Sequence, residues 1–376
     1  MATLNFNQVN IHSKPDQRSE AEERWVSFQP YLLSKGYRLR PRYQPDWVPM
    51  WKDKNVKPSD CEDSIDRMPI RVMDATRIED GAQVIIKSVV PSEDDEGLEE
   101  RVILEYFSTP PLRNHPSNHV VRCLDSFPIP GIDSGSFIIM PLLSNYGEIP
   151  FYNIAEIHEM LQQLFEGLLY IHENHIAHRD IASANIMMDA HPLYDEPFHP
   201  FLQTHSLDTQ RLVYPRYRRS EKKIRYYYID FGYAKWFQDP SASRLVIGMN
   251  AREPAPEQAY EDPYDPFIAD LYQLGAVLRR DLIPVGLNFY TKFEFLTFLL
   301  PLAREMTRDN PAGRPTLLTA RTSMNTAFLG IPGWKYRWPI VPKYAELGER
   351  WGYFWAGLTA EARFWFKRVL MMFLRY

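Results

Sequence analysis

The stretch HRDIASAN at residues 178–185 places a carboxylate, Asp180, five positions before an amide, Asn185. Two further polar residues stand apart from it: Lys87 ends the aliphatic run VIIK, and Asp230 opens the tripeptide DFG. Phosphoryl transfer needs such a set. A carboxylate must orient the attacking hydroxyl, a carboxylate and an amide must hold a divalent cation, and a cation must neutralise phosphate charge. These residue types are therefore consistent with phosphoryl transfer, provided that the rest of the chain can bring them together.

The composition is that of a globular protein. The 376 residues are 45% hydrophobic and 14% aromatic, which is enough to bury one or two substantial cores. A formal net charge of −5 gives no general basic field, so no nucleic-acid partner is expected. The two cysteines, Cys61 and Cys123, do not suggest a disulfide framework, and no run of about eighteen apolar residues predicts a membrane-spanning helix. We expect a cytoplasmic protein, with a nuclear location left open.

A small β-rich lobe with one helix precedes the HRD stretch. Two β-rich runs within 68–90 flank the tripeptide EDG, which is typical of a hairpin, and two more strands are predicted at 119–127 and 136–143. Segment 94–107 carries acidic residues early and apolar residues later, which predicts a helix with a favourable N-terminal charge. The aromatic-rich block 23–55 predicts a short helix and a strand packed onto this lobe.

A larger, mainly helical lobe follows. The amphipathic stretch 153–174 predicts a long helix that ends just before the HRD stretch. The order of elements predicts an α+β, two-lobed architecture. We divide the chain into an N-terminal extension at 1–60 that is partly packed on the small lobe, a small lobe at 61–142, a larger lobe at 143–330 with an insertion at about 190–224, and an aromatic tail at 331–376.

The order of the motifs resembles that of the eukaryotic protein kinase family. The chain carries, in that family's order, VIIK ending in Lys87, HRDIASAN, DFG at 230–232 and APE at 255–257. The resemblance covers roughly residues 68–322 and implies a bilobal protein-kinase-like fold, with ATP and Mg²⁺ as cofactors and a protein substrate. It implies an enzyme that transfers the γ-phosphoryl group of ATP to a protein hydroxyl, with serine or threonine favoured over tyrosine.

The resemblance assigns the catalytic roles residue by residue. Asp180 would take or orient the proton of the substrate hydroxyl. Asn185 would hold a second Mg²⁺ and Asp230 the bridging Mg²⁺. Lys87, at the end of a strand, would pair with the α- and β-phosphates.

The same resemblance places further residues around the nucleotide. The partner of Lys87 on the following helix would be Glu100, with Glu99 and Glu105 as competing choices. The side chains implied around the adenine are Met140 at the gatekeeper position, Leu142 in the hinge that follows it, and Met187, two residues past Asn185.

Five positions match structural residues of the family. Asp270 in DLYQLGAVL matches the buried aspartate that braces the catalytic loop. Arg314 in NPAGRPT matches the arginine that pairs with the Ala-Pro-Glu carboxylate, here Glu257. His178 and Arg179 directly precede the catalytic aspartate. The Ala-Pro-Glu motif resembles the end of the family's activation segment. Together with Asp270 and Arg314 it counts against a small-molecule kinase of the aminoglycoside or choline kinase type, since those enzymes share the His-x-Asp-x-x-x-x-Asn loop but generally lack that segment.

Two features depart from the family pattern. No Gly-x-Gly-x-x-Gly precedes Lys87, so the backbone amides that usually cover the phosphates are not evident. Ala182 stands where serine/threonine kinases usually carry a lysine, so the loop itself lacks a cation for the transferred phosphate. These departures keep a second hypothesis open, a pseudokinase that acts as a nucleotide- or partner-binding scaffold.

Two segments outside the motifs could bind partners. The insertion carries seven basic residues between 211 and 225, which predict either a solvated loop or a docking surface for an acidic partner. The chain ends in a short apolar helix with a basic arc of Arg363, Lys367 and Arg368. This pattern predicts either a helix that contacts a membrane surface or one that packs on the larger lobe. Packing is preferred, because the aromatic residues before the helix also need burial.

Overall fold

The computed structural model describes residues 14–52, 56–64, 70–92, 96–239, 241–248, 251–259, 262–283, 294–341 and 345–373. The chain divides into two compact units, and each is formed from separate stretches of sequence. The first unit comprises Met1–Asn114, Val121–Ser144 and Asp189–Tyr217, and the second comprises His115–Val120, Asn145–Met188 and Arg218–Tyr376.

The elements of the first unit are α1 (Glu20–Ser34), β1 (Tyr37–Leu39), β2 (Val72–Arg77), β3 (Gln83–Val89), α2 (Glu100–Ser108), β4 (Asp125–Pro128) and β5 (Ser136–Pro141). The strands form a five-stranded antiparallel sheet in the order β1-β2-β3-β5-β4. The turn at EDG joins β2 to β3, as the sequence predicted, with Val72 opposite Lys87 and Thr76 opposite Gln83.

One face of this sheet is apolar and packs against α1. Ile86 and Phe137 from the central strands lie in one buried cluster with Trp25 of α1. Strand β1 adds Tyr37 and Leu39 to the same cluster. The aromatic-rich N-terminal block therefore supplies part of this unit's hydrophobic core, because strand alternation turns every second side chain to the α1 side.

The second unit is mainly helical and is organised around α3 (Ile154–Glu173). Ile157, Leu161, Leu164 and Leu168 of α3 are buried, in agreement with their helical spacing in the sequence. The other helices are α4 (Arg219–Lys222), α5 (Pro266–Val277), α6 (Leu300–Met306), α7 (Leu317–Leu329), α8 (Gly333–Arg337) and α9 (Leu347–Phe373). The remaining short strands of the chain are β6 (Ser144–Asn145), β7 (Ile176–Ala177), β8 (Ile186–Met188), β9 (Tyr226–Tyr228) and β10 (Lys235–Trp236).

The predicted α+β class is confirmed, since a β-rich unit with a helix after β3 is joined to a larger helical one. Element boundaries differ from the sequence prediction. The helix predicted at 94–107 begins at Glu100, and the strand predicted at 119–127 begins at Asp125. The latter starts late because His119 and Val120 pair with β9 in the second unit. The insertion also differs, because Asp189–Tyr217 packs with the first unit rather than the helical one.

Burial of His119 makes the second unit sensitive to acid. The imidazole is buried, and its Nδ1 donates a hydrogen bond to the carbonyl oxygen of Tyr226 at 2.8 Å. Burial lowers the pKa of His119 from 6.5 to about 4. The unfolded chain therefore binds this proton first, so stability is lost as the pH falls from about 6.5 towards 4, by about 2 kcal/mol at pH 5.

We expect the His119→Asn variant to lose much of this pH dependence, because an asparagine amide can still donate to the Tyr226 carbonyl but does not titrate. Urea unfolding of both proteins at pH 7.5 and pH 5.0 measures the difference. If both lost the same free energy of unfolding on acidification, His119 would not be the titrating group.

Candidate active site

The HRD stretch forms a loop between β7 and β8 of the second unit, and two of its predicted site residues are in contact. Nδ2 of Asn185 donates to the backbone oxygen and to Oδ2 of Asp180, both at 2.8 Å. Both side chains are buried. Burial raises the pKa of Asp180, and the hydrogen bonds from the Arg252 backbone and from Asn185 oppose that shift. The amide of Asn185 thus fixes the orientation of the predicted base.

Asp270 on α5 holds the start of this loop. Its carboxylate accepts hydrogen bonds from the backbone N–H of His178 at 2.8 Å and of Arg179 at 2.7 Å. Nε2 of His172 lies 2.9 Å from the same carboxylate, which is fully buried. Arg179 has a φ of 67°, a conformation that side-chain-bearing residues rarely adopt, so these bonds hold the chain in an unfavourable backbone state.

The DFG segment is hydrogen-bonded to the same loop. Asp230 follows β9 with a φ of 63°. Beside it, the N–H of Ile229 donates to the carbonyl of Asn185 at 3.0 Å, and its own carbonyl accepts from Nε2 of His178 at 3.0 Å. The ring of Phe231 is buried 4.7 Å from the His178 ring. The two motifs therefore form one connected structure.

Arg252, three residues before the Ala-Pro-Glu motif, brings three site residues together around one cation. Its backbone N–H donates to Oδ1 of Asp180 at 2.7 Å, and its Nη1 donates to Oδ1 of Asn185 at 3.1 Å. Its Nε lies 3.7 Å from Oδ2 of Asp180, and its Nη2 lies 3.6 Å from Oδ2 of Asp230. The oxygens of these three side chains thus converge on a position that a positive charge occupies.

The end of the activation segment carries the ion pair that the resemblance implied. Arg314 binds both carboxylate oxygens of Glu257, at 2.5 and 2.7 Å. The Arg314 side chain is fully buried, and its guanidinium also lies 4.8 Å from the ring centre of Tyr272 on α5. A bidentate, buried pair of this kind fixes geometry as well as charge.

The first unit carries the predicted lysine and its partner. Nζ of Lys87 lies 2.6 and 2.8 Å from the two carboxylate oxygens of Glu100, so the structure selects Glu100 from the three possible partners. Glu105 is instead bound to Arg101 and Ser126. Helix α2 begins at Glu100, which places its carboxylate at the helix N-terminus and close to β3.

The residues implied around the adenine fall in both units. Met140 and Leu142 are buried in the first unit, and Met140 lies opposite Ile85 in the strand register. Met187 lies in β8 of the second unit, opposite Tyr227 of β9. The residues predicted to contact the adenine are therefore divided between the units, with Met140 and Leu142 in the first and Met187 in the second.

A buried ionic network lies on the sheet face that carries Lys87. The register puts Asp74 opposite Ile85, two residues before Lys87 and on the same face. Arg40 binds Asp74 through Nε at 2.9 Å and Glu62 through Nη1 at 2.7 Å. Burial raises the pKa of Asp74, and the Arg40 guanidinium opposes that shift.

The insertion reaches the same face. Nε2 of His199 lies 3.4 Å from Oε1 of Glu62, and Nε2 of Gln83 donates to the carbonyl of Phe198 at 3.1 Å. The connection between β1 and β2, residues 40–71, contains no glycine. It therefore cannot form the flexible Gly-rich turn that brings backbone amides close to phosphates. Part of the face beside Lys87 is filled by protein side chains instead.

At least three of the seven basic residues of the insertion are held by contacts within the chain. Arg211 pairs with Glu196, and Arg216 pairs with Asp195. Arg219 is buried and donates to backbone carbonyls and to Tyr226. These contacts reduce the free positive charge that a docking surface for an acidic partner would need.

Sequence reasoning missed three residues that complete the site. Gln273 accepts from the N–H of Ile181 at 2.8 Å and donates to the carbonyl of Arg179 at 3.0 Å. It follows Asp270 by three positions, so helical spacing alone put it on the same face of α5. His172 lies in the last turn of α3, directly after the buried Ile171. No local pattern marks Arg252, because its partners are distant in sequence.

Comparison with known proteins agrees with this geometry. The protein kinase domain family matches residues 71–282. A Wee1-like protein kinase of Drosophila melanogaster is 32% identical over 129 residues, which cover 33% of this chain and 20% of that relative. The chain thus matches about one fifth of the length of that fly protein. The match to the family begins at the residue before β2 and includes both the Lys87–Glu100 pair and the Asp180 loop. The chain therefore belongs to the protein kinase domain family.

Proposed function

We propose that this protein is an active protein kinase that transfers the γ-phosphoryl group of ATP to a protein hydroxyl. The observation that carries the proposal is the convergence of Asp180, Asn185 and Asp230 on one cation position, since a non-catalytic descendant has no need to keep it. Family membership implies phosphotransferase chemistry. A serine or threonine acceptor, rather than tyrosine, stays a prediction from the sequence.

Asp180 is suited to orient the attacking hydroxyl. A general base must keep its proton-accepting oxygen in a fixed direction, within hydrogen-bonding reach of its substrate. Asn185 and the Arg252 backbone each bind one carboxylate oxygen of Asp180, so its plane is set before substrate arrives. Positioning of this kind, together with electrostatic stabilisation of the transferred group, supplies most of the rate in phosphoryl transfer.

Asn185 and Asp230 fit a magnesium ion. Mg²⁺ prefers oxygen ligands and is usually held by one or two carboxylates together with substrate phosphates. Oxygens of both side chains already face the Arg252 guanidinium, so a cation can approach both. Among the described residues, no cluster of three His, Cys, Asp or Glu side chains could hold a metal. A bound Mg²⁺ supplies charge neutralisation, and this chain contributes two side-chain ligands.

Lys87 is suited to bind the non-transferred phosphates of ATP. The carboxylate of Glu100 contacts the ammonium through both oxygens and fixes its position on β3. A lysine held in this way acts as a fixed positive charge towards phosphate.

One observation favours the second candidate, a pseudokinase scaffold. The buried Arg40 network and the insertion fill part of the sheet face beside Lys87, and the β1–β2 connection lacks glycine. Nucleotide affinity is lowered if these groups take space or amides that ATP needs. This candidate predicts a folded protein with an intact Lys87–Glu100 pair and no turnover.

The deciding experiment measures Mg²⁺-dependent transfer of labelled γ-phosphate from ATP to a protein substrate mixture. Lys87→Met is the test variant, and Lys57→Met, at an exposed position of the same unit, is the matched control. Loss of transfer in Lys87→Met alone supports the kinase, and phosphoamino-acid analysis identifies the acceptor. ATP-induced thermal stabilisation without transfer by the wild-type protein would support the scaffold, and the absence of both would reject the two proposals.

The position of Arg252 predicts a competition with the metal. Its half-exposed guanidinium occupies the point on which Asn185 and Asp230 converge. An ion pair of this exposure contributes about 0.5–1 kcal/mol, so Arg252→Gln is expected to tighten Mg²⁺ binding about two- to fivefold. Mn²⁺ binding followed by electron paramagnetic resonance measures this without turnover. Arg244→Gln, in the same segment, serves as the control, and equal affinities in both variants would contradict the competition.

A further inference from the structure

The C-terminal helix α9 presents one apolar face that no described part of the chain covers. Along the helix, apolar side chains recur at alternating steps of four and three residues, which places them on one side. Trp351, Trp355 and Phe366 are 62%, 60% and 69% exposed. The central members of this apolar face are Trp351, Trp355, Leu358, Trp365, Phe366 and Val369, all of them exposed.

One flank of α9, next to the apolar face, attaches the helix to α8. Gly357 lies directly against the ring of Trp338, so closely that any side chain there would collide with it. Arg337 binds both carboxylate oxygens of Glu361 at 2.7 and 2.8 Å, and its guanidinium lies 3.7 Å from the ring centre of Phe364. The attachment therefore fixes which side of α9 faces outward, and that side is the apolar one.

This arrangement differs from the packing that the sequence favoured. Gly357 is the buried residue of α9 within its described range. Trp351 and Trp355, which were expected to be covered by the larger lobe, are exposed instead, whereas Tyr336 is partly buried and its hydroxyl lies 2.8 Å from Nδ1 of His158 on α3. Soluble proteins rarely leave so large an apolar surface uncovered, and such surfaces mark interaction sites.

Basic residues border the apolar face. Arg363 lies at one edge and Arg350 and Arg368 lie at the other, by their positions on a helical wheel. Lys367 lies on the far side, and all but Arg350 belong to the C-terminal half. The acidic residues of α9 are Glu349 and Glu361, and Glu361 is neutralised by Arg337. The border of the apolar face is thus positively charged.

We propose that α9 binds the surface of a membrane that contains anionic lipid, with its apolar face buried at the level of the headgroups. Tryptophan and phenylalanine favour this interface, and arginine and lysine at the borders can reach lipid phosphates. None of the helices in the described ranges has the length and apolarity to cross a bilayer. The helix lies along the membrane plane and holds the second unit at the surface.

The shape of the face favours a lipid surface over a second copy of the chain. The interface between two helices of a coiled coil is narrow, and branched aliphatic side chains fill it by packing between the side chains of the facing helix. Here Trp351, Trp355 and Trp365 occupy the positions that such aliphatic side chains would take, and Phe366 and Phe373 widen the exposed face further. A fluid lipid surface accommodates such bulky, irregular side chains without a matched partner.

The test uses flotation of the full chain with vesicles of phosphatidylcholine alone and of phosphatidylcholine with 25% phosphatidylserine. Wild-type protein is expected to float with the anionic vesicles and to lose binding at high salt. Trp365→Glu is expected to weaken binding at least about tenfold, since it removes a large ring that would be buried in the membrane and adds a negative charge. Replacing both Arg363 and Arg368, one at each edge of the apolar face, by glutamine is expected to weaken binding to anionic vesicles more than tenfold.

Two adjacent methionines provide a matched control. Met372 lies on the apolar face and Met371 on the opposite side, and they are 55% and 60% exposed. Met372→Glu is expected to impair flotation and Met371→Glu to preserve it, with thermal unfolding of both unchanged. Equal effects of the two substitutions would overturn the proposal. So would a wild-type protein that does not float but forms a dimer that Trp365→Glu dissociates, since that result assigns the face to a second copy.

Discussion

Replacing Asp180 with asparagine is expected to lower the rate of phosphate transfer by about 10²–10⁴-fold and to leave the fold intact. The amide cannot take the proton of the substrate hydroxyl. Its oxygen can still accept the hydrogen bond from the Arg252 backbone, and Asn185 keeps its bond to the backbone oxygen of residue 180. The substitution therefore removes the chemistry and one hydrogen bond of the loop, that from Nδ2 of Asn185 to Oδ2 of Asp180, and it keeps the other two.

Initial rates at saturating ATP, together with thermal unfolding of each protein, measure this effect. Asp189→Asn is the matched control, because Asp189 is a half-exposed carboxylate just beyond the same loop. Equal rates for the Asp180→Asn and Asp189→Asn proteins would show that the measured transfer comes from a contaminating kinase or from another base. A loss of rate with a large fall in unfolding temperature would instead assign Asp180 a structural role.

The sequence was sufficient to predict the local parts of the site. Residues within one motif are held by short-range bonds, such as that from Asn185 to Asp180. Two pairs distant in sequence, Lys87–Glu100 and Glu257–Arg314, were implied by the family resemblance and are formed in the structure. For Lys87, three carboxylates close together in sequence were candidates, and the start of α2 at Glu100 decided among them.

Contacts between residues that no motif connects could not be predicted from the sequence. Arg252 reaches Asp180 across 72 residues, and Gln83 reaches Phe198 across 115, so neither pairing follows from local spacing. The insertion was assigned to the larger lobe because its neighbours in sequence are there. In the structure its part up to Tyr217 packs with the first unit, since Phe198 and His199 find buried partners there, and the part from Arg218 belongs to the second unit.

Asp270 is expected to have the largest effect on stability. Removal of its carboxylate in Asp270→Ala leaves the backbone N–H groups of His178 and Arg179 without their acceptor, in a fully buried position. Each unsatisfied buried donor costs about 1–3 kcal/mol, and the contact with His172 is lost as well. We expect the free energy of unfolding to fall by about 3–5 kcal/mol.

Asp270→Asn separates the two contributions of this carboxylate. The amide keeps one acceptor oxygen, so we expect the free energy of unfolding to fall by about 1–3 kcal/mol, with the remaining donor unsatisfied. Arg179 loses a bond that maintains its unfavourable φ, so the loop that carries Asp180 is expected to relax, and the rate of transfer to fall even where the variant is folded. Urea unfolding and initial rates of both variants measure these effects. An Asp270→Asn protein with wild-type rate and stability would show that Gln273 alone is enough to hold the loop.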